Sequence, residues 1–409
     1  MELTPWIETD PVDPAEHARL RRRAIFECCK WDPQVEDVST VAPFPLLLRR
    51  SAWEEITRLS EELAAEAIAA EAELARRPEL HRTLGLPFSV RRALRHGDPP
   101  PGIARVLRFD FHWTTEGWRI SEANTDVPGG FNEASGFARL LAPSFPGSEP
   151  AGDPAGQLAE AVEGGTVALV HATAYTDDRQ VMVYLARELE ARGRRALLAA
   201  PDHLRWRDGR ARIESEWFQG ELDAVVRFFP AEWLPNLPKA SGWRHFFHGG
   251  RTPVSNPGAA ILTQSKRFPL VWDRLETPLP AWRRLLPQTL DPRDSGWKRD
   301  PNAWVLKPSL GRVGDGIGLV GATAEKDWKQ IRRGVRFGPR WWAAQRKFEA
   351  VPMRVGREAV FPCVGVYTID GRAAGAYGRV ARKPIINHLA QDAAVLVEEE
   401  ARYERLAAL

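Results

Sequence analysis

The sequence is short of the features that mark secreted, metal-clustered or membrane-bound chains. Only three cysteines occur in 409 residues, Cys28, Cys29 and Cys363. Adjacent cysteines rarely pair with one another and no CxxC spacing exists, so a disulfide framework and a zinc site are both excluded. Residues 1 to 10 carry acids and have no apolar centre, which is no signal peptide. No apolar run reaches the ~18–20 residues that a membrane span needs. Neither the GxGxxG turn of dinucleotide-binding folds nor the Walker pattern GxxxxGK[ST] is present. No internal repeat is visible. Charge of one sign is also lacking, since the net charge of +3 makes no case for a nucleic-acid partner. The expectation is a cytoplasmic, reduced protein that engages neither membrane nor nucleic acid.

What is present is an ordinary globular composition, 44% apolar and 27% charged. The length suggests roughly two or three domains. Sixteen tryptophans are many, and most are expected to pack in cores. Arg332, Arg333, Arg336 and Arg340 read as a solvated helix face rather than a basic patch. His245 and His248 stand three apart with no third ligand nearby, and read as packing or surface residues. Cys28-Cys29 reads as a pair of buried helix thiols.

Along the chain, residues 15–30 are expected to be helical, as are 52–77, where Trp53, Ile56, Leu59, Leu63 and Ala67 recur at helical spacing. A short helix is predicted over 88–95, and Pro99-Pro100-Pro101-Gly102 breaks the pattern. Residues 103–111 alternate as a strand, and Trp118 opens its partner after a turn at Thr115-Glu116-Gly117. A helix is predicted over 133–141 and a linker over 144–157, which is rich in Pro, Gly and Ser. Strands at 166–171, 195–199 and 222–229, with a helix at 178–192, predict a small doubly wound parallel sheet. Further strands are predicted at 303–307 and 341–348. A hairpin is predicted from 361–368 and 373–379 around Asp370-Gly371.

Two constellations carry chemistry. Asp110, Glu122 and Asn124 offer two carboxylates and an amide oxygen, hard ligands of the kind magnesium takes. Glu122 and Asn124 are two apart and share a strand face, as do Arg108 and Asp110. If the strands pair through the intervening turn, all four point into one cleft. The alternative is a salt-bridge lattice on an exposed hairpin. The second constellation is Lys307 at a strand end, followed by Gly311, Gly314, Gly316 and Gly318, whose backbone N–H groups can approach an anion closely. A plain β-turn is the alternative. Lys266, upstream on a separate element, would grip the same phosphates.

Taken together, these residues resemble the glutathionylspermidine synthase family of ATP-grasp carboxylate–amine ligases. The R-x-D motif of that family is matched by Arg108-Phe109-Asp110. Its E-x-N-x-D-x-P motif is matched by Glu122 through Asn124 and Asp126 to Pro128, and its following glutamate by Glu133. Its K-P-x-x-G-R motif reads Lys307, Pro308, Gly311 and Arg312. Its N-P segment with a later lysine reads Asn256-Pro257 and Ser265-Lys266, and a late G-x-x-x-R reads Gly375 to Arg379. The match in order and spacing runs from about 100 to 390 and includes no preceding amidase domain. Two departures stand close to the presumed site. Val313 replaces a usual glutamate after Arg312, and the loop after Asp126 reads Val127-Pro128-Gly129-Gly130.

The resemblance implies an α/β chain of ATP-grasp fold with a small parallel-sheet preATP-grasp-like domain and an N-terminal helical region. The implied division is a helical region over 1–100, a metal and acid-substrate segment over 101–150, the small domain over 151–250 and the nucleotide-binding region over 251–409. It implies an enzyme using ATP and magnesium to join an acid and an amine through an acyl phosphate, with release of ADP and phosphate. Asp110, Glu122 and Asn124 would hold magnesium. Lys266, Lys307, Gly311, Arg312 and Gly314 would hold the phosphates, and backbone groups near Gln345 would meet adenine. Arg108 and Arg379 would stabilise the acid and its acyl phosphate, with Asp126 and Glu133 near the substrates. The rival expectation is a nucleotide-binding protein that kept the fold and lost catalysis. The identity of acid and amine is not given by these motifs.

Overall fold

A computed structural model describes residues 4–32, 34–35, 38–311, 316–387 and 389–399. It is an α/β structure built around an antiparallel sheet. The strands Gln391–Ala393, Arg372–Ala381, Glu358–Ile369, Val106–Thr114 and Gly117–Asn124 lie in that order, and Met353–Val355 pairs with the Glu358–Ile369 strand. The alternation read from the sequence explains the two central members. Phe109 and Phe111 are buried on one face while Arg108 and Asp110 stand on the other.

The long helix Arg50–Ala75 packs across this sheet. Ile56, Leu59, Leu63, Ala67, Ala70 and Leu74 form its buried stripe at helical spacing. Each large aliphatic side chain there contributes about 1.5–3 kcal/mol on leaving water. The helix also uses two acids from its flank. Glu66 accepts the backbone N–H groups of Ala281 and Trp282, and Glu73 those of Glu276 and Thr277. The N-terminal helix, Pro14–Glu27, starts at Asp13, whose carboxylate accepts from Ala15 and Glu16, with Pro14 in the first turn.

The predicted parallel sheet is present. Val254–Ser255, Ala224–Arg227, Thr166–Val170 and Arg195–Ala199 lie side by side, all parallel. The crossover is the helix Thr176–Glu190. A small antiparallel meander, Leu204–Arg207, Arg210–Glu214 and Gln219–Glu221, is inserted before the third strand and was not anticipated. A further three-stranded sheet places Trp342–Arg346 between Thr289–Leu290 and Trp304–Pro308. In a last one, Val395–Glu398 runs parallel to Leu46–Leu48 and antiparallel to Ser148–Pro150.

The segment expected as a linker over 144–157 is instead structured. Ser148–Pro150 is a strand and Pro154–Ala161 a helix, capped by the Asp153 carboxylate on Gly156 and buried at Ala155, Leu158 and Ala159. Its glycine is there for proximity: a Cβ on Gly152 would lie 2.5 Å from the Ala374 carbonyl oxygen. The helix predicted over 133–141 begins with a π-helical turn, Asn132–Phe137, and continues as Ala138–Leu141. No helix among the described residues is long and apolar enough to cross a membrane.

Candidate active site

The polar face of the central sheet forms the floor of a cavity of about 750 Å³. Strand register assembles that floor. Asp110 lies opposite Glu122, and Arg108 opposite Asn124, so all four side chains reach the cavity. On the other edge Asp110 faces Gly365, which in turn faces Tyr377, while Arg379 sits beside Cys363 and Asp392. The absence of a side chain at Gly365 is required. A Cβ there would meet the Arg108 Cδ and Nε atoms at 2.8 Å and Asp110 Oδ1 at 2.9 Å.

Arg108 is held from four directions. Its Nε and Nη2 donate to the two oxygens of Asp110 at 2.8 and 3.1 Å, and its Nη1 to the Gly129 carbonyl at 2.7 Å. Its guanidinium also lies over the ring of Tyr377 at 5.0 Å. Burial works against the charge, but the Asp110 carboxylate outweighs it and keeps Arg108 firmly protonated. The bonds to Gly129 and Asp110 use one N–H each of Nη1 and Nη2, and the guanidinium also meets Tyr367. Tyr367 also donates to Gly129. The Gly129-Gly130 loop is thereby explained. Gly130 has φ +97°, and a Cβ on it would press on the Tyr367 hydroxyl and the Tyr377 ring at 3.0 Å.

Lys307, in the cavity wall, and Lys266, in a small adjoining pocket, approach Glu122 from separate elements. The Lys266 ammonium lies 3.1 Å from Glu122 Oε2, and Lys307 Nζ donates to the Ser121 carbonyl at 2.8 Å. The backbone N–H of Lys266 donates to Ser309, which ties the two lysine segments together. Burial would push the Glu122 carboxyl up, yet the charges of Lys266 and Lys307 hold it down at about 2. Burial, aided by Lys266 against the pull of Glu122, brings the Lys307 ammonium down to about 8. His112, buried next to Lys307, is pushed down to about 4, first by burial and then by that charge.

A second polar wall joins Glu133 and Arg379, both expected near the substrates, to residues not read from the sequence. Lys30 places its ammonium 2.6 Å from Glu133, 2.9 Å from Asp392 and 3.1 Å from Asp32. Tyr377 connects this wall to the first, because its hydroxyl donates to Asp392 at 2.6 Å while its ring carries Arg108. Arg379 donates to the carbonyls of Asn387 and Ala390 and lies 3.8 Å from Asp392. Tyr377 is two residues before Arg379 on one strand, so period two pointed to it. Lys30 and Asp392 had no such signal.

Not every expected residue reaches the cavity: Lys266 lines a small pocket beside it, with Glu122 and Lys307 common to both. Asp126 is fully buried elsewhere, bonded to Arg227 and to the Ala231 N–H at 3.0 Å. Removing either partner of such a pair costs about 3–5 kcal/mol. Asn256 completes this staple. It donates to the carbonyls of Val106 and Asp126 and accepts from the Val106 N–H, which pins the end of the Gly117–Asn124 strand against its neighbour. Gly311 stands after the Trp304–Pro308 strand and does not line the cavity. Arg312, Val313 and Gly314 lie outside the described residues. Gly318 exchanges backbone hydrogen bonds with Leu306 and abuts Trp328, so its place is a β-bridge rather than a phosphate loop. Gln345 lines the cavity from the middle strand of its sheet, and Val305, Ile317, Leu319 and Phe348 give this end an apolar slot.

No group of three or more His, Cys, Asp or Glu side chains able to hold a metal occurs among the described residues. The fit to magnesium is therefore that of a shared site. Asp110 and Glu122 face each other with the Asn124 amide beside them, and a magnesium ion of this kind takes its remaining ligands from phosphate and water. The donors are hard oxygens and fit.

The profile of the family described as glutathionylspermidine synthase preATP-grasp matches residues 46–398. The chain belongs to that family. No curated protein sequence matches it. Among solved structures, a glutathione synthetase-like effector, GSS30, from Globodera pallida superposes with a TM-score of 0.63 at 11% identity. That match covers 94% of this chain and 97% of the other. A putative γ-glutamylcysteine synthetase from Methylobacillus flagellatus KT gives a TM-score of 0.42 at 12% identity, covering 81% and 84%. The family member described here thus has the expected α/β architecture of ATP-grasp synthetases.

Proposed function

We propose that the chain is an ATP-dependent carboxylate–amine ligase that forms an amide through an acyl phosphate. The observation that supports this most is the meeting, in one cavity, of opposed carboxylates from a strand pair with the buried Lys307, while Lys266 reaches Glu122 from a small adjoining pocket. Lys266 and Lys307 would bind the ATP phosphates, and the apolar slot beside Gln345 would take the base. Asp110, Glu122 and Asn124 would hold magnesium, which supplies charge neutralisation at the transferred phosphoryl group.

In the first step a substrate carboxylate oxygen attacks the γ-phosphorus and the bond to ADP breaks. Arg108, already oriented by Asp110 and Gly129, would place its guanidinium charge beside the acid and the growing acyl phosphate. In the second step an amine nitrogen attacks the acyl carbon, the C–O bond to phosphate breaks, and the amine proton leaves. The departing phosphate can accept it. At the neighbouring wall burial raises the Glu133 carboxyl above its ordinary range in spite of Lys30. Arg379 would hold the second oxygen of the tetrahedral intermediate.

The intact set of acids, lysines and arginines speaks against an inactive nucleotide-binding protein. The test is isotopic. With a carboxyl-¹⁸O acid, one labelled oxygen should appear in inorganic phosphate together with ADP and the amide. AMP and pyrophosphate, or label kept wholly in amide and residual acid, would refute the reading.

A further inference from the structure

We infer that Lys30 is a specificity-determining residue that fills, from within the chain, the place where a second ammonium group of an amine substrate would sit. The inference rests on the proposed ligase reading for the identity of the cavity, and deepens it by naming the amine class: amines carrying a single ammonium group.

Three observations carry it. First, the Lys30 ammonium is enclosed by the carboxylates of Glu133, Asp392 and Asp32 at 2.6, 2.9 and 3.1 Å. That is the coordination an alkylammonium ligand would receive, with three N–H donors meeting three acceptors. Second, the acids are built for a cation beyond structural need. Glu133 is buried in the cavity wall, and its Oε2 has no hydrogen-bond partner among the described residues. Third, Lys30 is delivered by a segment outside the residues that match the family profile. It follows the Pro14–Glu27 helix, which ends at Cys28, and the chain reverses at Cys29 with φ +57°. The Lys30 N–H then returns to the Ala24 carbonyl, and the next N–H, of Trp31, donates to the Gln180 side chain. The ammonium is therefore fixed in place rather than sampled by a mobile side chain.

The wall adjoins the reacting end through Tyr377, whose ring carries Arg108 and whose hydroxyl donates to Asp392, and through Arg379, 3.8 Å from Asp392. An amine aimed at an acyl group beside Arg108 would extend towards the acids. With Lys30 in position a distal ammonium finds the acids already engaged and meets a like charge. A monoamine meets no such conflict.

The test uses the full chain and needs no turnover. In Lys30→Ala, propylammonium should raise the melting midpoint by several degrees, while tetramethylammonium at equal ionic strength should not, because it has no N–H to donate. Wild type should respond to neither. Calorimetry should show 1,4-diaminobutane binding the variant about ten- to hundredfold more tightly than wild type. If three uncompensated acids prevent folding, Lys30→Ala/Glu133→Gln removes one charge of each sign and should show the same propylammonium-specific shift. Equal responses to the two cations in both variants, or unchanged diamine affinity, would overturn the inference. ATP binding is measured separately, so a failed ligase reading and a failed Lys30 reading give different results.

Discussion

Lys266 and Glu122 form an ion pair of 3.1 Å between the lysine assigned to phosphate and the carboxylate assigned to magnesium. The pair keeps each charge compensated without nucleotide. On the proposed reading, bound ATP and magnesium would take up the ammonium and the carboxylate together, so that neither charge would be left unpaired.

Replacing either lysine should therefore weaken nucleotide binding. Lys307→Ala and Lys266→Ala are each expected to lower ATP affinity in the presence of magnesium about tenfold or more, read by calorimetry. Wild-type affinity in both would remove the phosphate assignment.

Glu122→Gln preserves volume but removes a charged oxygen. It should fold, and it should lose turnover by about a hundredfold or more. It should also shift the magnesium dependence of the remaining activity to higher concentration. Ordinary activity at ordinary magnesium would be the contrary result.

A pH dependence follows from Lys307. Its ammonium loses a proton near 8 in the free protein, so ATP affinity should be level below that pH and fall above it, by up to about tenfold per unit. Folding stability should move the other way. The unfolded lysine keeps its proton to about 10.5, so between 8 and 10.5 the unfolded chain binds more protons and this group's contribution to stability rises with pH. Lys307→Arg should abolish the alkaline fall in affinity. Glu122, held at about 2, should not titrate anywhere in this range.

Gly130→Ala tests the loop. The substitution places a methyl against the Tyr367 hydroxyl and the Tyr377 ring at φ +97° and should cost about 1–3 kcal/mol in denaturant unfolding. It should also lower turnover more than ATP affinity, because the displaced Gly129 carbonyl orients Arg108 rather than the lysines.

The strand pair bearing Arg108, Asp110, Glu122 and Asn124 was legible because alternation puts charged and apolar residues on opposite faces within a few residues of one another. The long helix was legible for the same kind of reason. The stretch 144–157 was misread as a linker because Pro154 and Gly152 look like loop residues, whereas one begins a helix and the other allows close backbone contact. Gly318 looked like part of a phosphate loop and is a packing glycine under Trp328. Asp126 carried a family motif, but its partner Arg227 lies on the parallel sheet, a contact that no local pattern foretells. Lys30 and Asp392 are some 360 residues apart in the chain, and only the fold joins them.

The small sheet that places Val395–Glu398 between Leu46–Leu48 and Ser148–Pro150 has a consequence during synthesis. The two earlier strands do not pair with each other, and the sheet cannot form until a segment some 245 residues beyond the later of them has been made. Until then the apolar run Leu46–Leu48 lacks a partner on the edge that Val395–Glu398 will occupy. Closure of the sheet is thus a contact of long sequence separation, which slows its formation and lengthens the exposure of that edge to aggregation.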